Sequence, residues 1–293
     1  MRLNRELIQH LANVFEISPE DIKDIVPMDV GMTNSSFVFT VKDVRYVVRV
    51  PGDGTENFIS RKNEAEVYQA IETLKIADEV FDFDPETGIK ITYYYPNSRN
   101  VANDEWPLIR QAMQIMRKLH QAELVVDHYF DIEKKLQQFE AMCRKVDCLD
   151  QRDYQKALTM LDVPLEMIRT TDAPYILCHG DAANVNFLVL EDQSLKLLDW
   201  EYSGMCHGVA DVAMFGVFSD YSEKQFLDLL KWYFGREPKI DEIQLYYSYI
   251  AVSGILWSMW AEYRQYHGED FGNYAQINYE MGINYSKLVA DYK

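Results

Sequence analysis

The stretch "HGDAANVNF" brings His179, Asp181, Asn184 and Asn186 close together between the apolar runs "YILC" and "FLVL". Farther on, "KLLDWEYSG" sets Asp199 and Glu201 in a second apolar frame. Carboxylates and carboxamides at the mouths of apolar segments either cap turns or hold something charged. Phosphoryl transfer needs such a set: a carboxylate for the attacking hydroxyl, hard oxygen ligands for Mg²⁺, and a cation on the phosphates. A loop with the spacing D-x-x-x-x-N lets Asp181 face a hydroxyl while Asn186 turns toward a metal, and Asp199, delivered from a strand, would be a second ligand. Trp257 and Trp260 share one helix face. Such a stripe at helical spacing packs a core as readily as it lines a pocket.

These residues need a frame. In "NSSFVFTVKDVRYVVRVPG", Phe37, Phe39 and Val41 alternate against Tyr46, Val48 and Val50 around Lys42-Asp43, which reads as a β-hairpin. "ISRKNEAEVYQAIETL" has the spacing of a helix, and "GIKITYYYP" reads as a third strand ended by Pro96. The polar run that follows marks a lobe boundary near residues 96–104. Beyond it helices dominate, one of them at "YQKALTMLDVPLEMI", interrupted by strands at "YILCHGD" and "FLVLEDQSLKLLDW", the latter turning at Asp192-Gln193. The expected fold class is α+β: a small N-terminal antiparallel-sheet lobe over residues 1–96 and a larger, mainly helical C-terminal lobe over 97–293. A cleft at the hinge is the default place for a ligand.

Composition narrows the partners. The 293 residues carry 29 basic against 47 acidic side chains, a net charge of −18. This argues against nucleic acid, whose phosphates demand a basic surface, and is compatible with a cationic small molecule. The opening "MRLNRELIQHLANVF" reads as an amphipathic helix and not as a signal peptide. "YIAVSGILWSMWAEY" is too short and too interrupted by Ser and Gly for a membrane span. The four cysteines show no metal-ligand spacing, so reduced, buried thiols in a cytoplasmic protein without a membrane partner are expected.

The Asp181-to-Asn186 spacing is that of the catalytic loop in protein-kinase-like enzymes, followed by a hairpin closing on Asp199. Together with "GMTNSSF", "YVVRVPGDGTENFISRKNEAEVY", "RKLH", "GVADVAMF", "GILWSMWAEY" and "FGNYAQINYE", the chain resembles the choline/ethanolamine kinase branch of the aminoglycoside phosphotransferase superfamily, with a protein-kinase-like fold. Bacterial choline kinases look most similar. The resemblance implies ATP as the phosphoryl donor and Mg²⁺ as the metal. It implies that "GMTNSSF", with Asn34, covers the nucleotide phosphates, and that Arg49 grips them. Glu64 would pair with Arg49, or Glu66 if the register slips, and adenine would rest on hinge backbone over 93–97, including Tyr94. Asp181 would be the catalytic base, Asn186 and Asp199 the Mg²⁺ ligands, His179 a support, and Asp211 a buried brace for the loop. Choline would lie against Tyr202, Trp257, Trp260 and Tyr274, with Glu201 adding charge and Asp181 meeting its hydroxyl; "FSDYSE" matches further pocket residues only loosely. The implied activity is ATP- and Mg²⁺-dependent conversion of choline to phosphocholine. A kinase for ethanolamine, an aminoglycoside or another amino alcohol, and an inactive kinase-like binding module, are the alternatives.

Overall fold

A computed structural model describes residues 5–28, 34–52, 55, 59–149, 152–217, 219 and 221–291. Residues 31–33 of "GMTNSSF" and Asp220 of "FSDYSE" lie outside the described residues. The chain divides into two compact units: residues 1–99 with 188–202, and residues 100–187 with 203–293.

The first unit is built on a five-stranded antiparallel sheet in the order β1-β2-β3-β5-β4. Its strands are β1 (Lys23–Met28), β2 (Ser35–Val41), β3 (Val44–Val50), β4 (Val80–Phe83) and β5 (Lys90–Tyr93). The expected hairpin is β2–β3: Phe37 pairs with Val48 and Phe39 with Tyr46, while Lys42 and Asp43 both take positive φ (49° and 65°) in the connecting turn. Two residues with positive φ match the right-handed twist of the flanking strands. The amphipathic helix α1 (Arg5–Phe15) buries Leu7, Leu11 and Ala12 in the same core as Phe37, Phe39, Tyr46, Val48 and Ile91. Alternation leaves Arg49 off that core face. It pairs across the sheet with Lys90, a like-charge pair that needs carboxylates nearby.

The edge strands β1 and β4 escaped the sequence reading. β1 is mostly exposed, carries Pro27 and is bulged near its start, features tolerated at an edge; β4 is short. Helix α2 (Arg61–Ile71) starts at Ser60, whose hydroxyl accepts from the Asn63 amide. The two-residue strand β6 (Arg99–Asn100) ends this part of the chain.

The second unit contains α3 (Trp106–His120), α4 (Ile132–Val146), α5 (Tyr154–Met160) and α6 (Asp162–Thr170). The single helix expected at "YQKALTMLDVPLEMI" is thus two, broken at Leu161. Pro164 removes one backbone donor and crowds the carbonyl four residues before it. Strand β7 (Tyr175–Cys178) leads to loop 179–186 and then to β8 (Phe187–Val189), where the chain crosses into the first unit. There β8 pairs with β9 (Leu195–Leu197) around Gln193 at φ 65°, and Asp192 accepts from the amide and hydroxyl of Ser194. The Leu197 amide donates to the Ile76 carbonyl, so the hairpin leading to Asp199 and Glu201 packs with the N-terminal unit, although the sequence reading set it within 97–293.

Back in the second unit, β10 (Gly204–His207) pairs antiparallel with β7. Helices α7 (Val209–Val217), α8 (Glu223–Phe234), α9 (Ile240–Tyr266) and α10 (Tyr274–Asp291) follow. Residues 245–262 of α9 are buried on every side, as expected of a helix surrounded by others; α4, α6, α7 and α10 pack on it. Gly254 lets α10 approach: a Cβ there would stand 2.6 Å from the Gly282 amide nitrogen and 2.7 Å from the Asn278 carbonyl. No helix of the described residues is long and apolar enough to cross a membrane. All four cysteines are free and buried.

Candidate active site

In the first unit, charges converge on Glu64. Arg49 donates through Nη1 to Glu64 Oε1 (2.6 Å) and through Nη2 to Oε2 (2.8 Å), a bidentate fork. This settles the register in favour of Glu64 over Glu66. Lys90 Nζ lies 3.7 Å from Glu64 and 3.4 Å from Asp78, with the Tyr68 hydroxyl bonded to both Lys90 and Asp78. Burial by itself would raise the Glu64 carboxyl, but the Arg49 guanidinium, Lys90 and Arg61 outweigh it and hold the group at about 2. Arg49 Nη1 also donates to Asp199 Oδ1 at 3.1 Å. Asp199 has φ 64°, an uncommon left-handed backbone that an Asp can adopt and that recurs at functional sites.

Glu201 belongs to this cluster. Its Oε2 accepts from Arg61 Nη1 (2.9 Å) and Asn34 Nδ2 (3.2 Å) and lies 3.8 Å from Arg49 Nη1. Burial, reinforced by Asp199, pushes its carboxyl up to about 7 against the pull of Arg49 and Arg61. Tyr202 lies on the same short segment. Tyr94 sits under the Arg45 guanidinium, 4.0 Å from its ring centre. The amides of Tyr93 and Tyr94 donate to the carbonyls of Glu79 and Arg45, so neither N–H is left for an adenine on this segment.

In the second unit, loop 179–186 hangs on Asp211 from the first turn of α7. Asp211 is fully buried and accepts from the amides of His179 (2.7 Å) and Gly180 (2.8 Å), with His120 Nε2 at 2.9 Å. Burial would raise this carboxyl; His120 and His179 outweigh it and lower it. His120 Nδ1 meets the Tyr233 hydroxyl at 2.9 Å. The brace implied for Asp211 is therefore present, extended by His120 and Tyr233, which the sequence left unassigned. Gly180 has φ 81°, a conformation suited to glycine. His179 is buried, and its Nδ1 accepts from the Asp181 amide (3.2 Å). Asn184, without a role in the sequence, donates to the Val101 carbonyl at 2.9 Å.

Asn186 Nδ2 donates to the Asp181 carbonyl (2.7 Å) and to Asp181 Oδ2 (3.1 Å). That orientation commits the nitrogen end of the amide to Asp181 and leaves Oδ1, a hard oxygen of the kind Mg²⁺ takes, as the other end. The Asp199 carboxylate of the first unit is one-third exposed and offers, by itself, the same kind of hard oxygen.

The aromatic residues assemble around Trp260. Its ring centre is 5.8 Å from that of Trp257, 5.0 Å from Phe271 and 6.3 Å from Tyr274. The Tyr274 phenol is pushed well above its ordinary value by burial and by the negative charge of Asp181, so Tyr274 lies within electrostatic reach of the loop. Phe271 is a member the sequence reading missed; as an isolated Phe in a connecting turn it breaks the helical spacing that singled out Trp257 and Trp260.

Residues 25–228 match the family model for choline/ethanolamine kinase, well over half of the chain. The chain belongs to the choline/ethanolamine kinase family. It is 26% identical over 260 residues to protein LicA of Haemophilus influenzae, covering 84% of this chain and 75% of the relative. Its fold is similar to that of the choline kinase LicA from Streptococcus pneumoniae (TM-score 0.81, 19% identity, 98% of this chain and all of the other). The kinase-like fold extends to the ADP-bound aminoglycoside phosphotransferase APH(2'')-Ib (TM-score 0.60, 17% identity, 99% and 98% coverage). Phosphotransferase chemistry is thus the common property of this family.

Proposed function

We propose that this kinase phosphorylates the hydroxyl of choline with ATP. The observation that carries the reading is the aromatic cluster of Trp257, Trp260, Phe271 and Tyr274, in the same unit as Asp181, whose charge reaches Tyr274. A quaternary ammonium is attracted by aromatic faces at about 0.5–2 kcal/mol each, and a hydroxyethyl arm would carry the reacting oxygen toward a carboxylate. Ethanolamine keeps three N–H donors and favours carboxylates and carbonyls. The cluster offers aromatic faces, which supports choline over ethanolamine.

In this reading Asp181 orients the choline hydroxyl and accepts its proton, late in a loose in-line transfer. The hydroxyl oxygen bonds to the γ-phosphorus as the bond to the β–γ bridging oxygen breaks, releasing ADP. Asn186 fixes the Asp181 carboxylate through Nδ2. Arg49, held by Glu64, grips the phosphates. Mg²⁺, held by Asn186 Oδ1 and the Asp199 carboxylate, would supply neutralising charge at the phosphate oxygens.

The test is ADP release over choline, ethanolamine and kanamycin with Mg²⁺, for wild type and Asp181→Ala. Choline is expected to give the highest kcat/KM. Asp181→Ala is expected to lower kcat by about 10²–10⁴-fold, the usual worth of a positioned base. A preference for ethanolamine or kanamycin overturns the acceptor; near-normal turnover of Asp181→Ala overturns the base.

A further inference from the structure

Arg61 is the most heavily engaged side chain of the first-unit cluster, and no step assigned so far uses it. It stands at the start of α2 with its side chain 9% exposed. Its Nη1 donates to both Glu64 Oε2 and Glu201 Oε2, at 2.9 Å each. Its Nη2 reaches Asn34 Oδ1 at 3.4 Å and Thr55 Oγ1 at 3.3 Å. Both terminal nitrogens are thus spent on four protein oxygens, whereas Arg49, whose fork is taken by Glu64 and Asp199, keeps its Nε without a protein partner among the described residues.

The carboxylate it takes matters. Glu201 Oε2 is 2.9 Å from Arg61 Nη1 but 3.8 Å from Arg49 Nη1, which already serves Glu64 and Asp199. Around these groups three cations (Arg49, Arg61, Lys90) face four carboxylates (Glu64, Asp78, Asp199, Glu201). Without Arg61, two cations would face four carboxylates, and Glu201, with a buried side chain, would have Arg49 as its nearest cation. Removing one partner of a buried pair leaves the other group uncompensated, and whatever charge Glu201 keeps then falls on Arg49, 3.8 Å away. A polyanionic nucleotide would then meet an Arg49 whose hold on Glu201 is no longer shared with Arg61.

We propose that Arg61 is a positioning residue for nucleotide binding: it holds Glu201 and thereby keeps the Arg49 charge available to the phosphate chain. The proposal rests on the kinase reading above and names a residue that reading leaves without a role. It differs from a purely structural role, such as tethering Glu64 to the start of α2, in one respect. If Arg61 acts by neutralising Glu201, removing the Glu201 charge must repair its loss.

ATP binding by titration calorimetry with Mg²⁺, together with KM for ATP and for choline, tests this on wild type, Arg61→Met, Glu201→Gln and the double variant. Arg61→Met is expected to weaken ATP binding about tenfold or more, since one uncompensated charge at this range carries at least that much, with the choline KM moving far less. Glu201→Gln is expected to bind ATP as wild type or tighter. The double variant should return to within about threefold of wild type, well inside a tenfold step. Arg61→Lys, which keeps the charge but not the fork, should fall between wild type and Arg61→Met. Unchanged affinity in Arg61→Met, or a folded double variant as weak as Arg61→Met, overturns the proposal. If Arg61→Met does not fold, weakened binding in Glu201→Gln, or binding in Arg61→Lys more than about tenfold weaker than wild type, overturns it instead. Wild type that fails to bind ATP at all overturns the kinase reading, and this inference with it.

Discussion

Replacing Glu64 with Gln keeps the shape of the side chain and removes the charge on which Arg49, Arg61 and Lys90 converge. Glu64 is 1% exposed, so solvent does little to screen the loss. Its carboxyl is held at about 2 against an ordinary 4.5. At about 1.4 kcal/mol per tenfold, the folded chain favours the ionised form by about 3 kcal/mol. Breaking one side of a buried ion pair costs about 3–5 kcal/mol, an independent figure of the same size. The folded value lies below the unfolded one, so this stability is fully present above pH 4.5 and is lost as pH falls through about 2. The measurement is urea unfolding of wild type and Glu64→Gln from pH 7 downward. The wild-type advantage should be about 3 kcal/mol at pH 7 and about 1.4 kcal/mol at pH 3. A gap below about 1 kcal/mol at pH 7, the level of an exposed pair, would refute the reasoning; so would a gap that does not shrink with acid.

Asp211→Ala strands the amides of His179 and Gly180 together with His120; at about 1–3 kcal/mol per buried orphan, a large drop in Tm and in kcat is expected by thermal melts and ADP release. Phe271→Ala should raise the KM for choline by about 3- to 30-fold, the worth of one aromatic face, with the KM for ATP unchanged; equal shifts in both would make Phe271 a packing residue only. Gly254→Ala forces a methyl against α10 backbone at 2.6–2.8 Å and should destabilise by about 1–3 kcal/mol or more, read as a lower urea midpoint.

Much of the site was legible because its spacing is local. Asp181 and Asn186 share one loop, so the D-x-x-x-x-N interval brought both to notice, while the bonds from Asn186 to Asp181 came from the structure. The β2–β3 hairpin was readable from alternation around Lys42-Asp43. Trp257 and Trp260 share a helix face by periodicity alone. The edge strands β1 and β4 were not legible, because an exposed edge carries neither the apolar alternation nor the β-branched run of a central strand.

What the sequence by itself determined is the family, the order of the elements and the residue types able to handle phosphate, since these reside in local patterns and in the match over residues 25–228. Tertiary structure decided which charges meet. Arg49 chooses Glu64, Glu201 turns to Arg61 and Asn34, and the hairpin bearing Asp199 packs with the N-terminal sheet. Phe271 joins two tryptophans from a turn beyond their helix, and His120 reaches Asp211 from α3. Each of these is a contact between segments distant along the chain. Its partner is selected by burial and by the need to neutralise a charge removed from water, and no interval in the sequence encodes that choice.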